Sequence, residues 1–213
     1  MTDASGTAPQ FVDREQQRET ARIGMWVFLM TEVMFFGSLF VVYFYDHRLY
    51  PDAFESAGRR TELGLGAVNT AVLLLSSLTM ALAVHAAKQG RGRALLQRLI
   101  MTMTLGAAFL ALKALEYVHH IQDHLLPGPA FVYAPAVLAR HAELFFYLYF
   151  AMTGLHALHM IVGLAWLAVL AVRTRSREND DHFTPVEIAG LYWHFIDVVW
   201  IFLFPMFYLV RGH

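Results

Sequence analysis

The amino-acid sequence predicts an all-α integral membrane protein, built as a polytopic bundle of five transmembrane helices. Hydrophobic residues make up 57% of the 213 residues and charged residues only 15%, whereas charged residues make up about a quarter of an ordinary soluble domain. Five apolar runs follow one another, each long enough to cross a hydrocarbon layer about 30 Å thick. The runs are apolar on all faces, whereas the strands of a membrane barrel alternate apolar and polar residues. We therefore expect helices, and we do not expect a water-soluble monomer.

The chain begins with a polar tail, residues 1–22, which has mixed charge and lacks the apolar core and small-residue cleavage site of a secretory signal. The first apolar run is therefore expected to stay in the membrane, as part of a single transmembrane domain over residues 23–213. The five predicted spans are residues 23–45, 63–87, 99–118, 143–172 and 188–210.

Basic residues predict the orientation of the helices, because short loops on the cytoplasmic side are enriched in Lys and Arg. The tail and the second and fourth links carry ten of them: Arg14, Arg18, Arg22, Lys88, Arg91, Arg93, Arg98, Arg173, Arg175 and Arg177. The opposite side carries five: Arg48, Arg59, Arg60, Arg140 and Arg211. This asymmetry predicts a cytoplasmic N-terminus and a C-terminus outside; Lys113, which lies within a span, is not counted.

Charge and cysteine content exclude several functions. The chain has 16 Lys and Arg against 17 Asp and Glu, so no basic excess supports nucleic-acid binding. Cysteine is absent, which excludes disulfides, iron–sulfur clusters, thiolate zinc sites and Cys-linked haem.

Glu32 is the one charged residue in the first predicted span and lies near the centre of the bilayer. An ionisable group at this depth costs about 2.5–3.5 kcal/mol even on a lenient insertion scale, so it needs a role there. Helical periodicity places it on one face with Met25, Phe28, Leu29, Phe35 and Phe36. Two interpretations remain open: a carboxyl that exchanges protons or contacts a partner, and a carboxyl hydrogen-bonded to a neighbouring helix.

Two other spans carry polar stripes. In the fifth span, Glu187, His194 and Asp197 recur at i, i+7 and i+10 and so share a face. The His–Asp pair, one turn apart, can share a proton or join neighbouring helices by hydrogen bonds. The fourth span carries a similar stripe, with Gly163 allowing a neighbour to approach closely: Thr153, His156, His159 and Gly163.

Eleven histidines raise the question of a haem or metal site. A membrane dihaem cytochrome needs axial His pairs at matching depth on facing helices, and His85, His119, His156 and His194 form no symmetric set. Glu116 and His119 form one Glu-x-x-His pair, whereas a di-iron bundle needs two. The sequence also lacks a nucleophile elbow and a phosphate-binding Gly loop. We therefore expect no metal, cofactor or catalytic centre in this chain.

Five segments together resemble one known family. The sequence YWHFIDVVW at residues 192–200 resembles the YWHFVDVVW pattern in the last helix of subunit III of the haem-copper (cytochrome c) oxidases. Four others resemble that family's patterns in the same order: TEVMFF at 31–36, VNT at 68–70, LEY at 115–117 and TGLHALH at 153–159. The resemblance extends over residues 23–208, nearly the whole chain.

The chain departs from the family at its start. The usual subunit III has seven helices, and this chain lacks counterparts of the first two, which in some bacterial oxidases are fused to subunit I instead. The family's lipid-filled cleft between its two-helix and five-helix limbs is therefore incomplete within this chain, and only a partner can complete it.

The resemblance implies a cofactor-free accessory subunit in the bacterial cytoplasmic membrane, with subunits I and II as partners and no nucleic acid. The haems and copper would belong to those partners, which reduce dioxygen to water while protons are translocated. Subunit III in this family stabilises subunit I, supports proton uptake and protects the active site during turnover. Glu32 matches the family's carbodiimide-reactive carboxyl. The remaining candidates are assigned to an interior polar network or to contacts with bound phospholipid: Glu116, His156, His159, Glu187, His194 and Asp197.

Two alternatives stay open at this point. The subunit III homologue of bacterial nitric oxide reductases is also short, although the intact motif at 192–200 and the mid-span Glu32 favour the oxidase. A small proton-coupled transporter would also explain acidic residues inside the membrane. It would predict inverted repeats or broken helices near the midplane, and neither is visible in the sequence.

Overall fold

A computed structural model describes residues 14–176 and 183–210. Its elements are α1 (Arg14–Leu49), α2 (Pro51–Gly58), α3 (Leu63–Lys88), α4 (Gly92–Gln122), a 3₁₀ turn (Ala136–Leu138), α5 (Ala139–Ser176) and α6 (Phe183–Tyr208). All are helical, and five of them are long and apolar enough to cross a membrane. The prediction of an all-α membrane protein with five spanning helices is therefore confirmed.

Each of the five spanning helices is longer than the apolar run that predicted it. α1 begins at Arg14, inside the segment expected to be a tail, and α5 continues to Ser176. The length of an apolar run corresponds to the thickness of the hydrocarbon layer. A helix can continue beyond that layer, into the headgroups and water, where its residues favour helical structure. The 38 residues of α5 extend about 57 Å at 1.5 Å per residue, more than the roughly 40–45 Å of a whole bilayer. Only α6 ends earlier than expected, at Tyr208.

The link between α1 and α3 contains a short helix, α2, which the hydrophobicity pattern did not predict. Pro51 and Asp52 lie in its first turn, where a missing N–H and a negative charge are both favourable. Phe54 is fully buried, with its ring centroid 5.4 Å from those of Tyr43 on α1 and Phe145 on α5. These contacts hold α2 against the end of the bundle.

Four helices, α3, α4, α5 and α6, pack in a closed ring in which each contacts its two neighbours. Trp193 of α6 fills the centre of the ring and is fully buried. Two glycines make room for it, since a Cβ on Gly106 of α4 would lie 2.8 Å from the indole and one on Gly163 of α5 would lie 3.1 Å from it. The close approach expected at Gly163 is therefore present.

α1 packs on the outside of this ring, against α6 and α5. Its buried apolar residues are Leu29, Phe36 and Tyr43, whose spacing of seven forms a narrow seam of coiled-coil type. Phe28 and Phe35, which were expected on the same face as Glu32, lie at its exposed edge. Most of the α1 surface is therefore apolar and outward-facing, as a helix in contact with lipid requires.

The helix directions define two sides of the membrane. α1 and α6 begin, and α3 and α5 end, on what we call the N-terminal side. Lys88 and Gly92, at the short turn between α3 and α4, lie on this side too. α1, α4 and α6 end on the opposite side, where α2 and the 3₁₀ turn also lie.

Candidate functional site in the membrane interior

A pair between Glu32 and His159 lies near the middle of α1 and α5. The Oε2 atom of Glu32 is 3.2 Å from Nε2 of His159, and the two side chains are 17% and 16% exposed. The other ring nitrogen of His159, Nδ1, donates to the carbonyl of Leu155 at 2.9 Å. The hydroxyl of Tyr192 on α6 donates to the carbonyl of His159 at 3.1 Å, so three helices meet at this pair.

The geometry of the pair fixes where its proton can be. Because Nδ1 of His159 carries a proton donated to Leu155, Nε2 of a neutral ring has only a lone pair. A hydrogen bond at 3.2 Å to Glu32 therefore needs one further proton, either on Nε2 with a carboxylate or on the carboxyl with a neutral imidazole. Both arrangements use the same two heavy atoms, Oε2 of Glu32 and Nε2 of His159.

One of the two open interpretations of Glu32 is a carboxyl hydrogen-bonded to a neighbouring helix. The contact with His159 on α5 is a bond of this kind. The sequence placed His159 and Glu32 in separate motifs, 127 positions apart, and nothing in helical periodicity indicates which faces of two distant helices meet.

A second polar cluster is fully buried between α4, α5 and α6. The ammonium of Lys113 donates to Glu116 at 3.0 Å and to the hydroxyls of Tyr149 and Tyr208 at 2.7 Å each. The hydroxyl of Tyr208 in turn donates to Glu116 at 2.7 Å. Lys113 and Glu116 are each 2% exposed. We call these four residues the Lys113 cluster.

Aromatic rings surround the charge of this cluster. The ammonium of Lys113 lies 4.4 Å from the ring centroid of Tyr149 and 5.3 Å from those of Trp200 and Tyr208. Ring faces attract a cation at these distances, and more strongly when water is excluded. The pair is therefore compensated by hydrogen bonds and ring faces, as a buried ion pair requires.

Sequence reasoning missed most of this cluster. Glu116 was expected in an interior polar network. Lys113 was not a candidate, because it entered only as a residue excluded from the count of basic residues on each side of the membrane. The available signal was the spacing, because a Lys and a Glu at i and i+3 inside an apolar span lie on one helix face and can neutralise each other. Tyr149 and Tyr208 carry no comparable signal, since Tyr is common near both ends of spanning helices.

The residues predicted to share a face of α6 do not form one site. Glu187 reaches outward to Arg22 on α1 at 3.0 Å, and His194 is hydrogen-bonded to Ser77 on α3 at 2.8 Å. Asp197 is 3% exposed and lies 3.8 Å from Nδ1 of His194, too far for a hydrogen bond. The expected His–Asp hydrogen bond is therefore not formed, because Ser77 occupies Nδ1 instead.

His156 lies one turn from both His159 and Thr153 on the α5 stripe and is 1% exposed. Its ring centroid is 5.5 Å from that of Phe109 and 5.2 Å from that of Trp200. Neither ring nitrogen has a hydrogen-bond partner among the residues described. Thr153, one turn earlier, is hydrogen-bonded to Tyr117 at 2.6 Å.

Across residues 14–176 and 183–210, no group of three or more His, Asp or Glu side chains could together hold a metal ion. What the described residues form instead is a set of polar pairs, each joining two or three helices inside an apolar bundle. Fold and interior together define a class: a polytopic helical membrane protein whose polar side chains join its helices.

Comparison with known proteins identifies the family within that class. Residues 10–211 match the family model of cytochrome c oxidase subunit III, and the chain belongs to this family. It is 31% identical to the quinol oxidase subunit 3 of Bacillus subtilis over 205 residues, which cover 92% of this chain and 91% of the relative. It is 33% identical to the cytochrome c oxidase subunit 3 of Alkalihalophilus pseudofirmus over 189 residues, covering 88% and 85% of the two chains.

A third relative, the probable quinol oxidase subunit 3 of Staphylococcus epidermidis, is 28% identical over 205 residues, with 92% of each chain covered. These three alignments each cover at least 85% of both chains. The chain is accordingly an accessory subunit III of a haem-copper oxidase, in the respiratory chain, and the family binds neither haem nor copper. Neither the nitric oxide reductase association nor the transporter is favoured by these relatives.

Proposed function

We propose that this subunit stabilises subunit I of its oxidase and supports proton uptake, with Glu32 as the group that exchanges the proton. The observation that carries the proposal is the contact of 3.2 Å between Glu32 and His159. In this proposal the contact holds one proton that either residue can carry, near mid-membrane, where α1 packs against the bundle. A carboxyl that is neutral in one of these two states is also a suitable target for a hydrophobic carbodiimide.

The remaining candidates support the fold around that pair in this proposal. Glu116 is held within the Lys113 cluster, and His194 joins α6 to α3 through Ser77. Glu187 lies at the N-terminal side, where its pair with Arg22 is near enough to the surface to contact a phospholipid headgroup. His156 and Asp197 belong to the same interior network, by their burial between the helices.

Partners and membrane placement follow from the same proposal. The haems and copper lie in subunits I and II, and subunit I is the main contact. The complex lies in the bacterial cytoplasmic membrane with the N-terminal side facing the cytoplasm, as the ten basic residues of that side favour.

The test is Glu32→Gln in the intact oxidase complex, with Glu187→Gln as the matched control. The amide retains the shape of the side chain and can still bond His159, but it cannot release a proton. We expect normal assembly, no carbodiimide labelling of this subunit, and slower proton uptake or a shorter lifetime during turnover. The control Glu187→Gln should assemble normally, should still be labelled by the carbodiimide at Glu32, and should show normal proton uptake and lifetime.

Unchanged labelling in Glu32→Gln would place the reactive carboxyl elsewhere. Normal turnover, proton translocation and lifetime in this variant would leave Glu32 with a structural role and would overturn the proposal.

A further inference from the structure

We infer that His156 binds at least one buried water molecule inside the bundle, between α4, α5 and α6. The inference starts from its two ring nitrogens, which are both buried and both without a partner in the described part of the chain. A neutral imidazole has one N–H donor and one acceptor nitrogen. Burying either without a partner is costly, and buried polar groups in native proteins are nearly always satisfied by protein or by ordered water.

The two comparable histidines on these helices show that the arrangement at His156 is unusual. His159 donates Nδ1 to the carbonyl four residues earlier, and His120 does the same to Glu116, each at 2.9 Å. His156 makes no such bond. Its ring is turned instead between Phe109 and Trp200, so both nitrogens depend on a group that does not come from its own helix.

Water is the occupant that this position selects. His156 is 1% exposed within the subunit alone, so a side chain of a partner subunit or a lipid headgroup has no route to it. The occupant must donate to one nitrogen or accept from the other and must be small enough to lie among ring faces. A single water molecule satisfies one nitrogen, so two are needed to satisfy both.

The surrounding contacts show what such a water would join. On the same stripe of α5, Tyr149 is bonded to Lys113, Thr153 to Tyr117 and His159 to Glu32. His156 is the unpaired position between the last two. A water molecule bound to His156 would therefore add a polar contact on the stripe between these two pairs.

The decisive test is the density map of the intact oxidase complex at a resolution that shows other buried waters. We expect a peak within hydrogen-bonding distance of a ring nitrogen of His156. An empty map at that position, with waters visible elsewhere in the interior, would overturn the inference.

Stability of the complex gives an independent test through His156→Phe and His156→Leu. If the imidazole is unsatisfied, an apolar side chain removes two buried polar groups and at least one of the variants should raise the unfolding temperature. If it binds water, both should lower it, and His156→Gln, which keeps a donor and an acceptor, should recover part of the loss. A rise of the unfolding temperature in either apolar variant would contradict the inference.

The Phe and Leu side chains bracket the volume of the imidazole ring. Overpacking and a cavity are therefore tested separately. This outcome does not depend on the role of Glu32.

Discussion

At the scale of single residues, the side chains that matter most in this protein are polar ones buried among apolar neighbours. Lys113 and Glu116 are the extreme case, since both charges are out of water and depend on each other. Replacing a whole buried ion pair by neutral groups is often tolerated, whereas removing one partner leaves an uncompensated charge.

We therefore expect Lys113→Met to destabilise the subunit by about 3–5 kcal/mol, because Glu116 then remains buried without its cation. The double variant Lys113→Met/Glu116→Gln should recover most of that loss, since the amide still accepts from Tyr208. Thermal unfolding of the complex and retention of the subunit during purification measure both effects. Equal losses in the single and double variants would show that the two residues do not act as a pair.

The exposed pair between Arg22 and Glu187 should behave differently. Their side chains are 48% and 24% exposed, and solvent screening reduces such pairs to about 0–1 kcal/mol. Arg22→Gln should thus change the unfolding temperature little, and less still in high salt. A loss as large as that of Lys113→Met would contradict the contrast between surface and interior.

The sequence could predict which residues are chemically notable but not which of them meet. Glu32 was identifiable because a charge in an apolar run is costly wherever the run packs. Its bond to His159 was not, because it depends on how α1 docks on α5. Asp197 and His194 show the same limit: one turn of helix brings them close, but Ser77 on another helix takes the nitrogen.

At the scale of helices, close packing around Trp193 decides the geometry of the ring. The indole lies against Gly106 and Gly163, so α4, α5 and α6 approach one another through a side chain and two bare backbone positions. In lipid, where apolar surface provides no driving force between helices, such contacts provide much of their association. The apolar pattern predicted the number of helices, while their arrangement depends on these contacts.

Gly106→Leu should separate α4 from α6, since even a Cβ at this position would lie 2.8 Å from the buried indole. We expect a loss of about 1–3 kcal/mol or more from overpacking, measured as a lower unfolding temperature and a changed tryptophan fluorescence. Gly37→Leu is the matched control, because nothing lies within 4 Å of a Cβ there and Leu favours a helix more than Gly. Equal effects at the two positions would show that Trp193 is not tightly held.

At the scale of the whole molecule, the ring of four helices and the peripheral α1 present two surfaces of different basicity to the aqueous phases. The start of α1, the turn between α3 and α4 and the end of α5 carry the basic excess. The helix directions place all three on the N-terminal side. The distribution of Lys and Arg therefore agrees with the direction of each described spanning helix.

Because the natural chain contains no cysteine, single cysteines can test this topology directly. Gly92→Cys should react with a membrane-impermeant thiol reagent only from the cytoplasmic side, and Val137→Cys, at a residue that is 82% exposed, only from outside. Labelling of whole cells and of inverted vesicles measures both. The reverse pattern would invert the proposed orientation.

The peripheral position of α1 has a consequence for how the protein is made. Polar contacts among the described residues attach α1 to the bundle at three levels: Arg22 to Glu187, Glu32 to His159 and Tyr43 to the carbonyl of Met206. All three partners lie on α5 or α6, the last helices to leave the ribosome, so the first helix enters the bilayer long before its partners exist. Until α5 arrives, the carboxyl of Glu32 lacks its partner His159. During co-translational insertion, α1 can therefore dock on the bundle only after α5 and α6 have entered the membrane. In a chain truncated before α5, we expect α1 to remain undocked.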